Sequence, residues 1–75
     1  MAITFQLRNK DEVLKLNKIA TQYSFDIWVH SENQMFDAKT LLALYTLPYN
    51  ETLKLVIEEG VHSKALLKDM DYFKK

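Results

Sequence analysis

The sequence predicts a single α+β domain spanning residues 1–75, with the element order β-α-β-β-α-β-α. Apolar residues alternate with a period of two in four short stretches, they recur at helical spacing in three others, and the two kinds interleave along the chain. Length limits what such a domain can do. A chain of 75 residues buries only about 60% of the surface its unfolded state exposes, so there is little interior for a deep cleft and function is expected on the surface. With 48% hydrophobic residues, one Gly and one Pro, the composition is that of a packed core and not of a disordered tail.

Taking the elements in order, Ile3, Phe5 and Leu7 alternate with Thr4, Gln6 and Arg8 as in a strand with one buried face. Asn9 followed three positions on by Glu12 is a capping-box-like helix start. From there Val13, Leu16, Ala20 and Tyr23 share a stripe with Ile19 beside it, predicting a helix from about Lys10 to Tyr23. Phe25, Ile27 and Val29 alternate with Asp26, Trp28 and His30, and Ser31-Glu32-Asn33 reads as a hairpin turn into a third strand, residues 34–38.

Thr40 is placed to cap a short helix reaching Thr46, with Leu41 and Leu44 on its buried side and Pro48 ending it. Leu53, Leu55 and Ile57 define a fourth strand running toward Gly60. After a Ser63 cap, Leu66, Leu67, Met70 and Phe73 form the apolar side of a last helix. Its polar side carries Lys64, Lys68, Asp69 and Asp71, and Lys74 and Lys75 suit the negative end of its dipole.

Several function classes drop out. Ten basic and ten acidic side chains cancel, and the basic ones are scattered from Arg8 to Lys75, unlike the clustered cations of a nucleic-acid binder. The absence of cysteine removes disulfides and thiolate chemistry. Neither a secretion leader nor a run of roughly 20 apolar residues is visible, so a cytoplasmic protein with no membrane partner is expected. In that setting the glycosylation pattern Asn50-Glu51-Thr52 carries no meaning.

Catalytic motifs are equally sparse. His30 and His62 are the only histidines, are expected at the surface, and have no third ligand in motif spacing, so no metal or other cofactor is expected. Glu58 and Glu59 are strand neighbours pointing to opposite faces, which rules out a carboxylate pair. Ser63 beside His62 lacks an orienting acid, and no catalytic residue is assigned.

The element order, the length, and the run Ala20-Thr21-Gln22-Tyr23-Ser24-Phe25-Asp26-Ile27 followed by Lys39-Thr40-Leu41-Leu42-Ala43-Leu44 resemble HPr, the phosphocarrier of the bacterial sugar phosphotransferase system. The resemblance implies an open-faced β-sandwich: a four-stranded antiparallel sheet in the order 1-4-2-3 with three helices on one face. It also implies a phosphate-accepting histidine directly before the first helix, with helix amides and an arginine stabilising the added charge. Here Asn9 falls near the histidine position and Asp11 near the arginine position, with Glu12 following, and no histidine lies between Met1 and Val29. An amide cannot take phosphate through an imidazole nitrogen, and two carboxylates would repel it.

The expectation is therefore a non-catalytic, degenerate HPr-like protein that binds or regulates another protein, either a phosphotransferase component or a transcription regulator. By the same resemblance Thr40 stands where some relatives carry a regulatory phosphoserine; a plain N-cap is the favoured reading of it. The resemblance makes the middle helix a docking surface, with Leu42, Tyr45 and Leu47 projecting to solvent as contacts. On the open sheet face Trp28, Met35 and Val56 are expected to form a second apolar patch. Two alternatives follow: a phosphoryl acceptor using Thr40 or an atypical histidine, and a structural subunit, such as a homodimer, that self-associates through the sheet face.

Overall fold

A computed structural model describes residues 2–58 and 64–73. Strand β1 (Ala2–Phe5) leads to helix α1 (Lys10–Thr21), the hairpin β2 (Ile27–Ser31) and β3 (Gln34–Asp37), the one-turn helix α2 (Leu41–Leu44), strand β4 (Leu53–Ile57) and helix α3 (Lys64–Met70), which tightens into a 3-10 turn at Asp71–Phe73. The strands form one antiparallel sheet in the order β1-β4-β2-β3. Gly60 as a strand end, the Ser63 cap and the readings of Glu59, His62, Lys74 and Lys75 lie outside the described residues. No described helix is long and apolar enough to cross a membrane.

Strand alternation builds the core. Ile3 and Phe5, Leu53, Leu55 and Ile57, and Ile27 and Val29 are buried from three adjacent strands. Against them pack Val13, Leu16 and Ala20 from α1, Leu44 from α2, and Leu66, Met70 and Phe73 from the last helical segment. The opposite face keeps Ala2, Thr4 and Lys54 exposed, so helices cover one face only. Register fixes both sets at once, since a slip of one residue would exchange them.

Element ends depart from the expected ones for local reasons. α1 stops at Thr21 because Gln22 N–H and Tyr23 N–H bond back three residues, to Ile19 and Ala20 carbonyls, tightening the last turn. α2 ends at Leu44 for the same reason: Thr46 N–H bonds Ala43 O and Leu47 N–H bonds Leu44 O. Phe25 precedes β2 and packs half-buried against Tyr23, their rings 5.3 Å apart. Leu7 is fully buried beyond the end of β1, where its carbonyl accepts Asn50 N–H at 2.7 Å. Asn50 bends the chain with φ 61°, a conformation asparagine tolerates better than most residues.

Candidate functional site

The start of α1 is capped by its own side chains. Asn9 is extended (φ −159°, ψ 176°) and its Oδ1 accepts Glu12 N–H at 3.0 Å, the N-cap bond the sequence predicts. The returning half differs from a capping box, because Glu12 Oε1 accepts Arg8 N–H at 2.8 Å while Oε2 lies 3.4 Å from Arg8 Nη1. Glu12 is thereby only 7% exposed. A carboxylate buried at this end of a helix is stabilised by the amide dipoles and by its two contacts with Arg8. Asp11 stays exposed beside it. The sequence marks Glu12 as a cap partner but carries no sign that it becomes buried, since first-turn acids normally stay wet.

α1 is tied to the turn before α2 by Asn17 Nδ2 donating to Ala38 O at 3.1 Å, and Lys10 Nζ lies 5.8 Å from the centre of the Tyr45 ring at the end of α2. Leu42 projects from α2 with 79% of its surface exposed, as expected, while Leu44 is fully buried. Tyr45 is half-buried and packs on the core edge instead of standing free. Leu47 corrects the expectation outright: it is 4% exposed, because the bonded turn after α2 swings the chain inward and seats the side chain in the core. On α1, Leu14 is also exposed, at 43%, one helical turn beyond Lys10 and off the apolar stripe of the helix.

Thr40 occupies the N-cap position of α2 but its side chain makes no capping hydrogen bond. The entry to α2 is held by Asp37, whose Oδ1 accepts Lys39 N–H at 2.9 Å and whose carbonyl accepts Thr40 N–H at 3.0 Å. With the backbone already turned this way, and with Ala43 and Leu44 amides bonded to the Thr40 carbonyl, the exposed hydroxyl is left out of the helix start.

On the open sheet face Trp28 pairs with Val56 on one side and Asp37 on the other, while Met35 pairs with His30. Trp28 and Val56 adjoin directly, as expected, and both are half-buried. Met35, 54% exposed, sits diagonal to Trp28 and not opposite it. His30 departs from its expected exposure: lying between Lys54 and Met35 in the middle of the sheet, it is half-buried, and its Nε2 is enclosed without a hydrogen-bond partner among the described residues.

Among the described residues no group of three or more His, Asp or Glu side chains could hold a metal ion. Basic residues scattered in sequence do converge once folded, with Lys15, Lys18 and Lys68 around a groove of about 420 Å³ between α1 and α3. Lys15 Nζ lies 4.4 Å from the Tyr72 ring centre. Asp69, expected in solvent, is half-buried and accepts the Tyr23 hydroxyl at 2.7 Å. Burial first, then that hydrogen bond and the Asp69 charge, push the Tyr23 pKa up to about 12.

No protein-family model and no curated protein sequence matches the chain. Among solved structures it is similar to HPr-C-His from Thermoanaerobacter tengcongensis, with a TM-score of 0.79 and 21% sequence identity over 99% of this chain and 91% of that one. Sheet order, helix number and this superposition together establish the chain's architecture as the HPr-like fold.

Proposed function

We propose that this chain is a protein-binding or regulatory domain that docks partners through the α1–α2 surface around Leu14, Leu42 and Tyr45, and that it carries no phosphoryl group on α1. The observation that supports this reading most is the start of α1. Asn9 is engaged in capping, and the buried Glu12 carboxylate already supplies the negative charge that the helix end attracts. A dianion added there would meet a fixed carboxylate beside it. The two histidines are elsewhere in the sequence, and His30 is on the sheet face away from the helices. Solvent-exposed leucines on both helices supply the apolar contact area that a docking surface needs.

Phosphotransferase components and transcription regulators are the partners that the fold brings to mind, and the cytoplasm is the corresponding setting. Incubation with enzyme I and phosphoenolpyruvate, followed by intact mass measurement, is expected to leave the chain unmodified. A stoichiometric acid-labile phosphate would overturn the reading. A second role is supported by Thr40, whose exposed hydroxyl is unused in capping and stands at a helix start where a phosphate is electrostatically favourable. Phosphopeptide mapping from the native cells decides whether it is modified.

A further inference from the structure

We propose that the uncovered sheet face around Trp28 is a second docking surface, fitted to a protein segment that presents an arginine beside an apolar side chain. It lies on the far side of the sheet from α1 and α2 and does not depend on their role. Asp26, Trp28, Val56, Ile57 and Glu58 line a shallow dish of about 320 Å³ at the end of β2 and β4. Ile27 and Ile57 are paired and turned into the core. Continuing that register by one residue sets Asp26 against Glu58, and strand alternation turns both to the Trp28 side. Both carboxylates are exposed, and neither has an ion-pair partner among the described residues.

Like charges directly opposed across two strands are unfavourable for folding, so nothing in the packing of this sheet accounts for the pair. Lys54 on the open face is two side-chain rows from Asp26 and Glu58, about 13 Å by strand rise, and continuing the β2–β3 register sets Lys39 across from Asp26 with no ion pair formed between them. What the dish offers is an aromatic side chain with two exposed carboxylates at its rim, neither in an ion pair among the described residues, and aliphatic surface from Val56 beside it. A guanidinium stacks on an aromatic ring and bonds carboxylates in the same plane, so one arginine uses both features, while an adjacent apolar residue covers Val56. A second copy of this chain on a two-fold axis would instead gather four carboxylates on one face, which disfavours the isologous dimer.

Trp28 is the only tryptophan, so its fluorescence reports the dish directly. The full chain is titrated with acetyl-Leu-Arg-Leu-amide and with its glutamine counterpart, for the wild type and for the double variant Asp26→Asn/Glu58→Gln. We expect a saturable change with the arginine peptide, binding about tenfold weaker or worse for the glutamine peptide and for the double variant. The effect should be lost in about 1 M salt, where the screening length falls to about 3 Å. The double variant should melt no lower than the wild type, since it removes a repulsion. Equal binding of the two peptides, equal binding by the double variant, no saturable response, or sedimentation showing dimers held through Trp28 would each overturn the proposal.

Discussion

The starts of α1 and α2 present the same problem, free backbone amides at a helix end, and the chain treats them in opposite ways. At α1 an asparagine caps, a glutamate is drawn into the interior, and Arg8 engages it through backbone and side chain. At α2 the threonine in the equivalent place leaves its hydroxyl unused, and the entry is formed by the Asp37 turn upstream. Twelve residues of α1 span the core, so a defined beginning fixes much of the packing. Four residues of α2 hold little helix of their own, and its position comes from the burial of Leu44 and the turn that follows. The difference teaches that a cap in the right sequence position can be structural in one helix and chemically idle in the next.

The largest expected effect tests the start of α1. Glu12→Ala removes the carboxylate that accepts the Arg8 amide and pairs with its guanidinium, and it should cost about 1–3 kcal/mol in urea unfolding. A cost near zero would mean that the buried carboxylate contributes nothing net and that the two helix starts are more alike than they look. A smaller effect probes the far end of α1, where the Tyr23 hydroxyl links the helix exit to Asp69 on α3. The folded pKa, raised from 10.0 to about 12, means that the neutral phenol is favoured in the fold. That contribution is fully present below about pH 10 and is lost as pH rises through about 12. Tyr23→Phe should therefore cost about 0.5–1.5 kcal/mol at neutral pH, and the gap to wild type should close through that alkaline window.

The smallest effect is the sharpest discriminator. With no side-chain bond to lose, Thr40→Ala should change stability by less than about 0.5 kcal/mol, below the usual loss of a working cap. Thermal melts of Thr40→Ala measured beside wild type decide it, and a loss near 1–2 kcal/mol would show that the hydroxyl caps α2 in solution.

Alternation of Ile3 with Phe5 and of Leu53 with Leu55 and Ile57 was enough to place two strands and their buried faces, and the Val13, Leu16, Ala20 stripe placed α1. Such signals are local, because the side-chain period is set by the residue's own backbone. Sheet order is not local, and 1-4-2-3 was legible only through the resemblance to HPr. The candidate site was read less completely. Leu42 is exposed because helical geometry requires it once Leu44 is buried, whereas Leu47 follows a turn with no period to read and went inward. Glu12 and His30 are enclosed by their surroundings, which no spacing along the chain encodes.

The sheet order also has a consequence for how the molecule is made. Among the described residues β1 pairs only with β4, joining Ala2 to Val56 and Phe5 to Leu53 across most of the chain. A growing polypeptide thus emerges from the ribosome with its first strand unpaired on both edges, and it stays so until β4 has been synthesised. Closing that long loop comes after the local hairpin of β2 and β3 can already form, so β1 is expected to dock later than that hairpin. During that interval Ile3 and Phe5 are open to other chains, and the speed with which β4 follows sets how long a nascent molecule must be kept from its neighbours.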